Sequence, residues 1–179
     1  CHIVMGAASV VSRTDNNVII ACGEETYEAE NLLICTGSTN FVPPIPGVKD
    51  NTAIWDSTDA LDTKELPQSM IIGGGGVSGM EFATLYLELG VPVIVIEAMP
   101  TILPNLDQEI VTILLDKYKK AGIQILTDTK VIEVQGNRVI TTNGEYEAEH
   151  ILISVGRRAN MQGLEALNDI EIHRGGIVV

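Results

Sequence analysis

The sequence is short of cysteine, of basic residues and of long apolar runs, and each shortage excludes something. Three cysteines, Cys1, Cys22 and Cys35, are scattered over 179 residues. No two stand at C-x-x-C or similar spacing, so they mark neither a disulfide framework nor a zinc site, and an odd, sparse set reads as a reducing, cytoplasmic compartment. Only 11 Lys and Arg face 24 Asp and Glu, giving a net charge of −13. Nucleic acid and anionic membrane both require a basic face, which argues against either as a partner. No apolar run approaches the roughly 18 residues of a membrane span. The opening residues, Cys1-His2-Ile3-Val4-Met5, resemble neither a signal nor a transit peptide, and without an initial Met they are expected to lie downstream of the true start. His2, His150 and His173 sit singly, without ligand spacing or a Ser/Asp partner pattern, so no catalysis and no metal is assigned to them.

What the chain does have is a hydrophobic content of 45% and a mean hydropathy of +0.22. Such values in so acidic a chain point to strands buried on both faces, as in parallel sheets. The organising stretch is Met70-Ile71-Ile72-Gly73-Gly74-Gly75-Gly76-Val77-Ser78-Gly79-Met80-Glu81. An apolar run enters a glycine cluster and an apolar helical segment leaves it. A second apolar run, Val93-Ile94-Val95-Ile96, then ends on Glu97. Strand, glycine turn, helix and a strand tipped by a carboxylate form a dinucleotide-binding βαβ unit.

Around it, residues 1–38 read as β structure with turns at Asp15-Asn16-Asn17 and Gly23-Glu24-Glu25. The run Leu32-Leu33-Ile34-Cys35 predicts a buried strand ending at Thr36-Gly37-Ser38, with Cys35 an inert core residue. Residues 39–66, rich in proline and with one short helix near Ser57, read as a linker. Residues 67–156 read as the nucleotide-binding domain and 157–179 as a return segment. Within the domain, a helix over 77–89 is expected to be covered on most sides and stopped by Gly90. A second helix over 107–120 carries Asp107 and Glu109 at its start, Lys119 and Lys120 at its end and Gly122 as its cap. Its inner side is expected to present Ile110, Val111, Ile113, Leu114 and Tyr118. Strands follow at 123–126, 130–134, 138–141, 146–148 and 151–155.

One internal repeat bears on the organisation. Gly23 to Gly37 recurs, shortened, as Gly144 to Gly156, each copy a β-meander followed by an apolar run that ends at a glycine. Two copies imply two nucleotide-binding domains of one design, of which only the second has its glycine turn in this sequence. The fold class is therefore α/β, a Rossmann-like parallel sheet with a β-meander crossover, flanked by part of a second domain.

In G-x-G-x-x-G the best alignment is Gly74, Gly76 and Gly79. The first glycine permits the tight turn, the second lets backbone approach a pyrophosphate, and the third lets helix and strand pack closely. Gly75, Val77 and Ser78 complete the turn, and the anion rests on the free N–H groups of the helix N-terminus. Glu97 selects the nucleotide. A carboxylate there accepts hydrogen bonds from ribose hydroxyls and repels a 2′-phosphate. No Lys or Arg occurs between Lys64 and Lys117, so NAD is favoured over NADP. Glu81 inside the apolar segment either faces solvent or is paired. Arg157 and Arg158 either meet phosphate or form surface ion pairs.

Ile34-Cys35-Thr36-Gly37-Ser38, the glycine turn to Glu81, Glu97 with Ile102-Leu103-Pro104 and Asp107-Gln108-Glu109, and Ser154-Val155-Gly156-Arg157-Arg158-Ala159-Asn160 together resemble the flavin-dependent pyridine nucleotide–disulfide oxidoreductases. Trp55-Asp56-Ser57-Thr58-Asp59-Ala60-Leu61 is similar to the linker of the dihydrolipoyl dehydrogenase branch. The resemblance implies that Gly6, Thr36, Gly37 and Ser38 touch FAD in the complete protein. It implies that the turn and Glu97 hold NAD, that Val131 lies on the adenine, and that Gly156 lies near the nicotinamide. It places Glu81 beside the flavin–nicotinamide contact. The activity it implies carries electrons from dihydrolipoamide through a redox disulfide and FAD to NAD+, in a homodimeric parent that serves a 2-oxoacid dehydrogenase or glycine cleavage system.

The departures are as informative. The paired redox cysteines, the FAD glycine motif, the later Gly-Asp motif and the interface domain are absent from these residues. Cys35 replaces the usual Ala, and Ala159 the usual Pro. The sequence is thus expected to be an NAD-binding segment with flanking FAD-domain strands, inactive alone, with no catalytic residue of its own. Two alternatives stay open: another flavoprotein of the mercuric reductase, NADH oxidase or CoA-disulfide reductase type, and a stand-alone nucleotide-binding module.

Overall fold

Three runs of β-branched and aliphatic residues with no polar break, Met70-Ile71-Ile72, Val93-Ile94-Val95-Ile96 and Ile151-Leu152-Ile153, build the centre of the larger unit, because a strand covered on both faces has no solvent side to mark. The computed structural model describes residues 1–168, 170–173 and 176–178. Its chain divides into two compact units, one of residues 1–39 and 157–179, the other of residues 40–156.

In the first unit β1 (Ala8–Arg13), β2 (Val18–Cys22) and β3 (Glu25–Ala29) form an antiparallel meander. The turns expected at Asp15 to Asn17 and at Gly23 set its register, with Val18 opposite Arg13 and Cys22 opposite Glu25. Val10, Val18, Leu164 and Leu167 make its buried core. β4 (Ser38–Asn40) runs beside a strand that follows the second unit.

The expected strand at 32–35 is a correction. The segment belongs to no strand. Leu32 and Ile34 pack on the Val10 core, whereas Leu33 is 86% exposed. Cys35 is exposed too, so it is not an inert core residue. One side of the segment is covered and the other is not, and among the described residues no ladder partner exists to bury the second.

The second unit opens with β5 (Ile54–Trp55) and α1 (Ser57–Asp62), followed by β6 (Met70–Gly73), α2 (Val77–Glu88), β7 (Val93–Ile96), α3 (Gln108–Ala121) and β8 (Gln124–Leu126). A meander of β9 (Val131–Gln135), β10 (Arg138–Thr141) and β11 (Gly144–Glu147) then leads to β12 (His150–Ile153). The parallel sheet has the order β5-β12-β6-β7-β8. Met70, Ile72, Val93, Val95 and Leu152 meet the helices through Met80, Ala83, Tyr86 and Val111. Ile71, Ile96 and Ile151 point the other way, onto Val134, Val139 and Ala148 of the meander. Each fully buried Val, Leu, Ile or Met among them contributes about 1.5–3 kcal/mol. Residues 40–66 carry more than connection. Val48 joins the meander-side core, the Val134 N–H donates to the Pro46 carbonyl at 2.9 Å, and the Tyr86 hydroxyl donates to the Ala60 carbonyl at 2.7 Å.

The helix ends follow their chemistry. Asp56 caps α1 through a capping box. Asp107 accepts from the Glu109 N–H at 2.9 Å, and Gly122 closes α3 with φ +99°. Two expectations are corrected. Helix α2 is not covered on most sides, since Val77, Leu85 and Leu89 are exposed. In α3 the inward stripe is Val111, Leu114, Leu115 and Tyr118, while Ile110 and Ile113 are exposed. Both stripes have helical spacing, and the sheet's position decides between them.

In the remainder of the first unit, β13 (Arg157–Ala159) is the strand that accompanies β4, and β14 (Ile172–His173) pairs with β15 (Gly176–Ile177). The return toward the flavin domain expected at the chain end falls partly on Gly175 and Val179, which lie outside the described residues.

Candidate functional site

The carboxyl ends of the parallel strands finish level. Gly73 stands opposite Ile96 on one side and Ile153 on the other, and Ile96 stands opposite Leu126. From β6 the chain passes to β7 and β8 in one direction and reaches β12 in the other. The switch point therefore lies at the end of β6, where ligands settle in open α/β sheets. That end is the glycine turn.

The turn is fastened on three sides. Gly74 has φ +111°, and a Cβ there would strike the Ser154 carbonyl oxygen that follows β12. A Cβ on Gly79 would strike the Gly74 carbonyl oxygen, so the helix closes on the turn only because that position is bare. A Cβ on Gly75 would come within 2.7 Å of Ile102 Cγ2 and 3.2 Å of Glu97 Cβ. By contrast, nothing lies within 4 Å of a Cβ built on Gly76, which faces open space at the start of α2.

Glu97 is half-buried, and its carboxylate is held rather than loose. Oε2 accepts from the Gly75 N–H at 2.6 Å and Oε1 from the Met99 N–H at 2.7 Å. A carboxylate offers about four acceptor positions, so two remain. The Thr129 N–H donates to the Glu97 carbonyl at 3.0 Å, which brings the approach to β9, and with it half-buried Val131, past the same strand end. The loop after Glu97 returns over the turn. Ile102 and Leu103 are both buried, and the Leu103 N–H donates to the Gly75 carbonyl at 2.8 Å.

The other expected site residues are placed as follows. Val77 and Ser78 begin α2 and are exposed, and Glu81 is exposed one turn further along. Gly156 follows β12, and its carbonyl accepts the Phe41 N–H at 3.0 Å. Gly6, Thr36, Gly37 and Ser38 belong to the first unit and are exposed. There the Thr36 hydroxyl donates to the Asn160 carbonyl at 2.6 Å, the Asn160 N–H donates to the Gly37 carbonyl at 2.9 Å, and Arg157 Nε donates to Ser38 Oγ at 2.8 Å. Arg157 is thus engaged with the turn it follows in space. Met99, Ile102 and Leu103 act through backbone N–H groups or through packing, and no side-chain pattern reports a backbone contact in advance.

Level parallel strands with a glycine turn at the reversal of strand order define a Rossmann-like α/β protein. Solved structures share the arrangement. The HOCl-induced flavoprotein disulfide reductase RclA from Escherichia coli superposes with a TM-score of 0.84 at 28% identity, over 99% of this chain and 42% of its own. The water-forming NADH oxidase from Lactobacillus brevis gives 0.73 at 20% identity, over 94% and 41%, a likeness of fold alone. In sequence, the chain is 39% identical over 172 residues to the dihydrolipoyl dehydrogenase of Acholeplasma laidlawii, covering 92% of this chain and 50% of that protein. It is 37% identical over 168 residues to that of Rhizobium etli, covering 87% and 34%. The chain therefore spans half or less of the length of these curated relatives. The family model for pyridine nucleotide-disulphide oxidoreductases matches residues 1–179, and the chain belongs to that family.

Proposed function

We propose that residues 67–156 are the NAD(H)-binding domain of a flavin-dependent dihydrolipoyl dehydrogenase. The observation that carries the reading is Glu97. Its carboxylate is oriented by two backbone N–H groups at 2.6 and 2.7 Å and keeps free acceptor positions for a pair of ribose hydroxyls. The residues fit a dinucleotide in a second way. Gly76 leaves open space at the start of α2, where backbone N–H groups receive a pyrophosphate. Gly74, Gly75, Val77, Ser78 and Gly79 form that cradle, Val131 lies along the adenine, and Gly156 and Glu81 lie toward the nicotinamide. The bound dinucleotide supplies hydride acceptance. This chain's own residues bind and orient it.

In the same reading, residues 1–38 and 157–179 belong to the FAD domain, where Gly6, Thr36, Gly37 and Ser38 meet the flavin, and residues 39–66 connect the two. The complete protein is a cytoplasmic homodimer that passes electrons from dihydrolipoamide to NAD+. These 179 residues contain no closely spaced cysteine pair, so they do not turn over dihydrolipoamide by themselves. The likeness to RclA favours a second reading, a flavoprotein disulfide reductase with another substrate.

Calorimetric titration of the purified chain with NADH and NADPH tests the proposal. NADH is expected to bind at least about tenfold more tightly, and Glu97→Ala to remove most of that preference, as one or two hydrogen bonds to a charged group are lost. Equal or tighter binding of NADPH by the parent would overturn the assignment.

A further inference from the structure

Leu103 is a bulky residue in the left-handed region, with φ +49° and only 6% of its surface exposed. L-residues other than glycine rarely adopt such a backbone, and an outlier held by its surroundings invites a functional reading. Its N–H donates to the Gly75 carbonyl at 2.8 Å. Ile102, beside it, is 0% exposed, and its Cγ2 stands 2.7 Å from where a Cβ of Gly75 would be. On the other flank of Gly75, its own N–H donates to Glu97 Oε2 at 2.6 Å. Both peptide units around Gly75 are therefore fixed, one by Glu97 and the next by Leu103.

A trans peptide points its carbonyl and its N–H in opposite directions. With the Gly75 carbonyl directed at Leu103, the N–H of Gly76 is directed away from the 102–103 loop. Freed from that contact, the Gly75–Gly76 peptide can rotate. The Gly75 N–H that orients Glu97 then loses its anchor.

We propose that Ile102 and Leu103 are positioning residues of the nucleotide site, clamping the Gly75–Gly76 peptide so that Glu97 presents its carboxylate in the orientation that distinguishes a ribose 2′-hydroxyl from a 2′-phosphate. The inference rests on the NAD(H) reading of that site and adds residues that need not touch the ligand. It assigns the discrimination to a distance-acting pair as well as to the carboxylate.

The test uses the purified chain, with NADH and NADPH titrated into four proteins. Ile102→Val keeps Cγ2 over Gly75 and is expected to match the parent in its NADH-to-NADPH affinity ratio. Ile102→Ala removes that atom and is expected to lower the ratio by about tenfold, the effect of weakening one hydrogen bond to a charged group. Val111→Ala, a truncation in the same helix-side core, is expected to lower the Tm without moving the ratio. A ratio unchanged in Ile102→Ala, or lowered equally in Val111→Ala, overturns the clamp. Amide hydrogen exchange keeps the two proposals separable. If the parent binds neither nucleotide, the NAD(H) reading falls, and the clamp is judged on whether the Gly75 and Leu103 N–H groups exchange slowly in the parent and faster in Ile102→Ala. Equal exchange in both proteins overturns it.

Discussion

The two copies of the repeated segment were given nearly the same residues and ended differently. In the second copy, β11 leads to β12, which has parallel neighbours on both edges, β5 and β6. Helices cover one of its faces and the meander the other, and Leu152 is 0% exposed. His150 at its start stacks on Trp55 with ring centroids 3.9 Å apart. In the first copy, β3 leads to Leu32-Leu33-Ile34-Cys35, which has a floor beneath Leu32 and Ile34 and nothing over Leu33. An apolar run of four becomes a central strand only when neighbours supply both ladders and both layers. The residues are permissive, and the surroundings decide.

The largest expected break in that comparison is at equivalent leucines. Leu152→Ala empties a fully buried position and should cost about 2–5 kcal/mol. Leu33→Ala should stay within about 0.5 kcal/mol, as exposed substitutions do. Urea unfolding of both variants checks the pair, and equal losses would refute the contrast. One glycine beyond each unit's key segment offers a second comparison. Gly79→Ala drives a Cβ into the Gly74 carbonyl and should cost about 1–3 kcal/mol, as overpacking does, together with most NADH binding. Gly37 has φ +73° but open space around it, so Gly37→Ala should cost about 1–2 kcal/mol of backbone strain alone and leave NADH affinity as it was. Thermal melts alongside the titrations separate the two effects.

The smallest expected effect is on acid sensitivity. Burial pushes the Asp56 carboxyl up, but hydrogen bonds from the Asn40 side chain and from the Asp59 and Thr58 groups outweigh it and hold it below its usual 3.8. In the first unit Glu165 is held low by its own N–H and that of Gly163. A carboxylate whose folded value is lowered stabilises fully above its unfolded value and loses that contribution as pH falls through the folded one. Asp56→Asn keeps a capping oxygen but does not titrate. Its urea midpoint should therefore fall less than the parent's between about pH 5 and pH 3, by an amount below the roughly 1 kcal/mol of a whole N-cap. Glu165→Gln, at an exposed loop, should flatten the profile less still.

Much of the larger unit was legible because its signals are local. Gly74, Gly76 and Gly79 after an apolar run and a carboxylate at the next strand end stand at a recognisable spacing within one βαβ unit, and Asp107 before α3 and Gly122 after it each act within one turn of the chain. What was not legible depends on distant neighbours. Ile110 and Ile113 satisfy the helical period as well as Leu115 does, and only the sheet's position places them outside. Leu32 to Cys35 has the composition of a core strand without a place in a sheet. The site was half legible in the same sense. Glu97 was visible from its position, but the Met99 and Leu103 N–H groups that shape its surroundings are common to every residue except proline, and nothing in their side chains announces them.

The discontinuity of the first unit has a consequence for how the protein comes into being. Beside the local pairs of its meander, the unit has bonds that join residues far apart in the chain, such as Thr36 to Asn160, 124 positions apart. On a ribosome releasing the chain from its first residue, none of these bonds can form until the whole second unit has emerged. The intervening residues form a separate compact unit, and domains generally fold as units during synthesis. Its two ends are joined by the Phe41–Gly156 bond at 3.0 Å. Once folded, it delivers residue 39 and residue 157 side by side, and the entropy of closing so long a loop has already been met. The inserted unit is in that sense the assembly jig of the unit whose sequence it interrupts.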